Sequence, residues 1–413
     1  MSETAWHVRR RIHATVLDLV SSYPAVAITG PRQSGKTTLA RQVFADRPYV
    51  SLEDPDELDF ATQDPRAFLE NYRDGAVFDE VQRAPHLFSY LQSLLDEERR
   101  MGRFVLTGSQ QFSMVESITQ SLAGRVALVR LLPFSLSELR NTGREPGTLD
   151  QLLFQGLYPP IYDRELDPTR WYGNYVRTYI ERDVRRLLNV RDLTQFQRFL
   201  RLCAGRTGQV LNLSALGTDA GASHHTVRSW LSVLEASFVV HQLRPHHANF
   251  NKRLTKSPKL YFYDPGLAAW LLGIQTAEDL AAHPLRGELF ETWAVSELLK
   301  MRFDHALESN LSFWRARQRL EIDVLADHGV HLVPIEIKSS QTISRSFFRG
   351  LTRWRELAGD AAGRAWLLYG GESRQSRTAA EVIPWRQIDA IAPALLPERL
   401  LGDKGGARRE GEG

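Results

Sequence analysis

Eight consecutive residues, Gly30, Pro31, Arg32, Gln33, Ser34, Gly35, Lys36 and Thr37, fit the Gly-x4-Gly-Lys-Ser/Thr pattern of a phosphate-cradling loop without a gap. Glycines at such a turn let backbone N–H groups close around a β-phosphate. Lys36 would reach the β/γ oxygens, the Thr37 hydroxyl would hold Mg2+, and Thr38 extends the binding set. Downstream, Asp79 is suited to hold Mg2+ through water, and Glu80 to orient and deprotonate an attacking water. Thr107 or Ser109 offers a hydroxyl to the γ-phosphate or the lytic water; the competing reading is a cap on the next helix. Arg125 is a candidate transition-state cation, in cis or in trans. Much further along, Asp323 and Glu336 are two hard oxygen ligands for a divalent metal, with Lys338 beside them to orient water or stabilise charge.

Lysine usage singles out some of these positions. Arginine has replaced lysine nearly everywhere, leaving Lys36, Lys252, Lys256, Lys259, Lys300, Lys338 and Lys404. A planar guanidinium does not substitute for a compact ammonium in a phosphate cradle, so surviving lysines carry information.

The elements around these residues must put them in place. The apolar run 25–28 reads as a buried strand entering the loop, and 38–44 as the helix leaving it, whose N-terminus adds partial positive charge. Residues 49–52, 76–78, 104–109 and 126–129 read as further strands, the third ending in small polar groups. Asp79 and Glu80 then cap the C-terminal end of one of them, the end of a parallel sheet where ligands sit. The chain has no Asn-Lys-x-Asp guanine-reading motif, since Asn251-Lys252-Arg253-Leu254 lacks the Asp, which favours ATP over GTP.

Four stretches together resemble a prokaryotic family of predicted AAA+ ATPases that continue into a C-terminal region of unknown function. They are Gly-Pro-Arg-Gln-Ser-Gly-Lys-Thr-Thr-Leu-Ala from Gly30, Val-Phe-Asp-Glu-Val-Gln-Arg-Ala-Pro from Val77, Leu-Thr-Gly-Ser from Leu106, and Ser-Leu-Ala-Gly-Arg-Val from Ser121. The resemblance runs from about Val26 to about Ser340. It implies an AAA+ core with nucleotide roles at Lys36, Thr37, Asp79 and Glu80. By fold analogy it also implies a ring-forming homo-oligomer with Arg125 acting in trans.

From about 150 to 202 the pattern is helical, and 175–188 places apolar residues at helical spacing with arginines on a solvated or ion-paired face. Leu213–Leu216, the Gly221-Ala222 turn and a helix capped by Ser223 read as a helix-turn-helix. Strands at 238–243 and 259–263 flank the basic stretch 252–259. The sum is a winged helix with a basic wing, fit for DNA phosphates or for protein docking. His224-His225 and His246-His247 lack partners at ligand spacing, so no metal is expected there.

Residues 320–325 and 332–338 read as a hairpin about the turn 327–329. Alternation sends Ile335 and Ile337 to the core and projects Glu336 and Lys338 together. An even turn centred on His328-Gly329 would set Glu321 opposite Glu336, with Asp323 the diagonal neighbour roughly 7 Å away on the same face. An odd turn would send Asp323 to the other face. This constellation resembles the PD-(D/E)xK nuclease superfamily. The resemblance implies metal ligands at Asp323 and Glu336, a catalytic Lys338 and assistance from Glu291 on the preceding helix.

The 413 residues suffice for several domains, and a net charge of +3 leaves the choice of partner open. Cys203, the single cysteine, excludes an intrachain disulfide and fits a reducing compartment. No apolar run approaches bilayer length, and Arg9-Arg10-Arg11 near the start is followed by no apolar signal core, so a cytoplasmic protein without membrane contact is expected. The fold expected is α/β: an AAA+ P-loop core with a parallel sheet (1–145), a helical lid (146–205), a winged helix (206–275), a restriction-endonuclease-like α/β domain (276–401) and a disordered tail (402–413). The leading functional reading is an ATP-binding and ATP-hydrolysing protein, DNA-associated, whose nucleotide state controls its C-terminal domains. The alternatives are an ATP-gated metal-dependent DNA nuclease and a nucleotide-dependent protein-docking scaffold.

Overall fold

Five short parallel strands carry the phosphate loop, the inner three buried on both faces and the two edge strands half-exposed at alternate residues. They are β1 (Ala25–Thr29), β2 (Tyr49–Ser51), β3 (Ala76–Asp79), β4 (Phe104–Gly108) and β5 (Val126–Arg130), in the spatial order β2-β3-β4-β1-β5, with every pairing parallel. Alternation along β1 divides the core. Ala25 and Ala27 face the cluster built on Phe68, Phe78, Phe88 and Phe104, while Val26 and Ile28 face Ile12, Val16, Leu39 and Phe44. Because β4 lies between β1 and β3, the loop after β1 and the acidic end of β3 flank the hydroxyl-bearing end of β4.

The computed structural model describes residues 8–97, 100–108, 114, 118, 120–140, 142–181, 193–246, 257–315 and 320–401. Ser109, the basic stretch 252–256, the arginines at 182, 185 and 186, His247 and the tail 402–413 lie outside them.

The chain divides into two compact units, Met1–Leu243 with Ser257–Ser296, and Arg244–Lys256 with Glu297–Gly413. In the first, short helices follow the sheet: Leu149–Gln155, Pro159–Asp163, Pro168–Tyr175 continuing as a π-helical turn Val176–Ile180, and Leu193–Ala204. Helices Leu213–Ala220 and His224–Ala236 are joined by Gly221, whose φ of 72° is the left-handed conformation glycine adopts freely, and Ser223 caps the second by accepting from Thr226 N at 3.1 Å. Strands β6 (Val240–Leu243) and β7 (Lys259–Phe262) pair antiparallel after them.

The second unit holds a mixed sheet of β8 (Leu311–Arg315), β9 (Glu321–Asp327), β10 (Leu332–Lys338), β11 (Trp366–Tyr369), β12 (Gln375–Ser376) and β13 (Glu381–Pro384), ordered β12-β13-β11-β10-β9-β8. Strands β8, β9 and β10 run antiparallel, and β10–β11–β13 parallel. Helix Phe347–Ala358 covers one face, burying Leu351 and Trp354 against Trp314, Ile322 and Leu367. Among the described residues no helix is long and apolar enough to cross a membrane.

Candidate functional site

The loop after β1 is shaped by two glycines. Gly30 has φ 150°, and a Cβ there would sit 2.1 Å from the Leu131 carbonyl oxygen, so only glycine allows the strand to pass β5 this closely. Gly35, at φ 93°, turns the chain into helix Lys36–Val43. Lys36 is buried and its Nζ donates to the carbonyls of Gly30 at 3.0 Å and Pro31 at 2.8 Å. Burial pulls its pKa down to about 8, against the opposing attraction of Glu80 and Asp79 and with a smaller push from Arg32. Pro31 and Ser34 are buried in the loop, whereas Gln33 and Thr38 are exposed. Gln33 Nε2 donates to Tyr179 Oη at 2.9 Å, and the Arg32 guanidinium lies 5.4 Å from the centre of the Tyr179 ring.

The acidic pair stands where the sequence predicts. Asp79 closes β3, is nearly buried, and accepts from Thr37 Oγ1 at 3.0 Å and from the hydroxyls of Tyr49 and Thr107. Burial and then the hydrogen bond to Asp79 push the Tyr49 hydroxyl up to about 12, so it remains a donor at neutral pH. Thr37 and Asp79 thus form a pair of hard oxygen donors, the chemistry that suits Mg2+. Thr107, expected to face a phosphate or water, is instead engaged with Asp79.

Glu80 follows at φ 54° and ψ 40°, a left-handed conformation that costs a bulky residue free energy and that clusters at functional sites. Its carboxylate accepts from Gln82 Nε2, a partner the sequence reading missed. Gly108 makes room for that arrangement, because a Cβ there would lie 2.3 Å from Gln82 Oε1.

Arg125 stands apart from this cluster. It precedes β5, where Val126 pairs with Ala25, so it lies at the N-terminal edge of the sheet, opposite the phosphate loop. There Asp96 grips it through two hydrogen bonds of 2.6 and 2.8 Å. Five strand residues separate the two edges, roughly 16 Å, so the cis role expected for Arg125 does not fit this geometry.

In the second unit, Val324 pairs with Ile335 across a four-residue turn. The turn is even, as the candidate site requires, but the register is shifted by two from the predicted one. Continuing the ladder sets Asp323, rather than Glu321, opposite Glu336, while Glu321 pairs with Arg315 on β8. Both carboxylates meet one ammonium: Lys338 Nζ lies 3.1 Å from Asp323 Oδ2 and 2.6 Å from Glu336 Oε1. Burial alone would lower the Lys338 pKa, yet the two carboxylates overcome it and raise it, so the side chain is held as a cation. Glu291 takes a different part from the one expected: in the first unit it accepts from Lys259 Nζ at 3.0 Å and from the Tyr261 hydroxyl at 2.5 Å. Among the described residues no three His, Cys, Asp or Glu side chains are gathered as a metal site.

Three family models match the chain. One is an AAA domain over residues 22–140, the second a domain of unknown function (DUF8612) over 147–278, and the third another domain of unknown function (DUF4143) over 286–388. The uncharacterized proteins Rv2008c of Mycobacterium tuberculosis and Mb2031c of Mycobacterium bovis are each 31% identical over 378 residues, covering 90% of this chain and 80% of theirs. Among solved structures, a Walker-type ATPase of Pyrococcus abyssi aligns at 14% identity and a TM-score of 0.45, covering 65% of this chain and 97% of that one. AMPPCP-bound DnaA from Aquifex aeolicus aligns at 14% identity and a TM-score of 0.28, over 54% of this chain and 85% of its own.

Proposed function

The chain belongs to a prokaryotic family of AAA-domain ATPases whose C-terminal region is of unknown function, and on that premise we propose that it binds ATP with Mg2+ and hydrolyses it. The observation that carries this reading is the convergence of Lys36, Thr37 and Asp79 beside Glu80 at the C-terminal edge of one parallel sheet. Lys36 exchanges its bonds to Gly30 and Pro31 for phosphate oxygens, and the loop's N–H groups orient the same phosphates. Thr37 and Asp79 are the residues that would hold Mg2+, which would supply positive charge to the phosphates. Glu80, steadied by Gln82, takes the proton of the attacking water. The test is phosphate release by the wild type, Lys36→Ala and Glu80→Gln: the first substitution abolishes ATP binding, the second leaves binding and stops turnover. Normal ATP binding by Lys36→Ala would sink the reading.

In this reading nucleotide state controls the regions after residue 140. The helix pair 213–236 with the β6–β7 hairpin is read as a winged helix that associates with DNA, and binding that weakens steeply with salt is its test. A second reading, an ATP-gated metal-dependent nuclease, is favoured by Asp323 and Glu336 meeting on Lys338. It is tested by Mg2+- or Mn2+-dependent cleavage of duplex and branched DNA, with and without ATP, against Asp323→Ala. The free, buried Cys203 suits the reducing compartment of a cytoplasmic protein.

A further inference from the structure

Arg10 lies outside the phosphate-loop pattern yet bonds directly to the loop, and we propose that it is a positioning residue for nucleotide binding. Its side chain is 6% exposed and fully committed: Nη1 donates to the Ser34 carbonyl at 2.7 Å, Nη2 to the Leu132 carbonyl at 2.6 Å, and Nε to Glu138 Oε1 at 3.0 Å. The guanidinium also lies 5.0 Å from the centre of the Phe134 ring. Three donors of one rigid fork therefore join the phosphate loop, the exit of β5 and a buried carboxylate.

The bond to Ser34 is the one with a consequence for the ligand. A trans peptide is planar, so its C=O and N–H point in opposite directions. Holding the Ser34 carbonyl outward fixes the direction of the Gly35 N–H in the same peptide unit, and that N–H is one of the donors such a loop turns toward the β-phosphate. Gly35 has no side chain of its own to restrain it, and its φ of 93° is reached freely. Arg10 supplies the missing restraint, and a hypothetical Cβ on Gly35 would come within 3.5 Å of Arg10 Nη1.

Arg10 is in turn fixed by Glu138. That carboxylate accepts from Arg11 N at 2.8 Å and from Ser135 N at 2.9 Å, while Glu138 N donates to Ser135 Oγ at 3.3 Å. The capping box at the start of helix Leu136–Leu139 thus anchors Glu138, Glu138 anchors Arg10, and Arg10 aims the peptide.

This inference rests on the nucleotide-binding reading, and the experiment separates the two. Dissociation constants for ADP and ATP are measured calorimetrically on the wild type, Arg10→Lys and Glu138→Gln, with the melting temperature of each ligand-free protein. Lysine keeps the charge and the apolar stem but loses the fork, so Arg10→Lys is expected to weaken ADP and ATP alike by roughly tenfold, raising KM with kcat changed far less. Glu138→Gln keeps one acceptor oxygen where the carboxylate offers two, so it gives up either the bond from Arg10 Nε or the one from Ser135 N, and is expected to weaken nucleotide binding in the same direction as Arg10→Lys. An Arg10→Lys protein with a lowered melting temperature but unchanged nucleotide affinity would overturn the proposal and leave Arg10 a structural residue. No binding by the wild type would refute the nucleotide reading itself.

Discussion

Raising pH should strengthen the ligand-free protein at Lys36 while weakening its hold on ATP. Lys36 moves from an ordinary value of 10.5 to about 8 on folding, chiefly because burial disfavours the ammonium. Between those two values the unfolded chain holds a proton that the folded one has released, so stability rises with pH across that window, by about 3 kcal/mol in all. ATP needs the ammonium, so affinity scales with the charged fraction of Lys36. That fraction is about 0.76 at pH 7.5 and about 0.03 at pH 9.5, so the dissociation constant should rise roughly 25-fold between them. The assay is calorimetric titration with ATP and Mg2+ at half-unit steps, with thermal melts of ligand-free wild type and Lys36→Met at each pH. Subtracting the variant removes every other titrating group from the stability curve. A wild type whose ATP affinity is flat from pH 7.5 to 9.5 would show that Lys36 either keeps an ordinary pKa or is not the phosphate's partner, and would refute the reasoning.

Four further outcomes follow from the same geometry. Asp79→Asn should cut Mg2+-dependent hydrolysis by more than about a hundredfold while keeping an acceptor for Tyr49, Thr37 or Thr107, whereas Asp79→Ala strands all three hydroxyls and should lower the melting temperature as well. Gly108→Ala places a methyl against Gln82 and should lower kcat by about tenfold, the scale of a misplaced general base, with ATP affinity retained in the same titration. Asp96→Ala frees Arg125 at the far edge of the sheet and should leave single-protomer turnover at low protein concentration unchanged; a loss there would restore a cis role. Asp323→Ala removes the acceptor for Ile337 N and one of the two carboxylates on Lys338 Nζ, so any DNA cleavage should vanish together with a measurable fall in thermal stability.

The nucleotide site was legible because its signals are local. The phosphate loop is one unbroken stretch, and Asp79 and Glu80 follow a strand whose apolar run is unmistakable, so strand, turn and acid could each be placed without knowing the rest of the fold. The hairpin at 320–338 was legible in parity but not in register. An Asp-His-Gly tripeptide reads as the turn centre, yet the turn opens one residue later, at 328–331, and moves Asp323 to the pair position itself. The misfit of a cis role for Arg125 was hidden for a related reason: its place in sequence beside a strand says nothing about which edge of the sheet that strand end occupies, and only the β1–β5 pairing decides it.

Arg10 shows the opposite limit. Arg9, Arg10 and Arg11 read as a charged terminal run, and nothing in their spacing separates the middle one from its neighbours. What separates it is Glu138, more than a hundred residues later, whose carboxylate is buried at 2% side-chain exposure and whose position is set by a capping box rather than by any phosphate-loop pattern. A buried guanidinium without that carboxylate would carry a large desolvation cost, and a buried carboxylate without the guanidinium would do the same. The pair is therefore selected by tertiary structure alone. The loop sequence specifies which N–H groups face a phosphate, and residues remote from it in sequence fix how rigidly they are held.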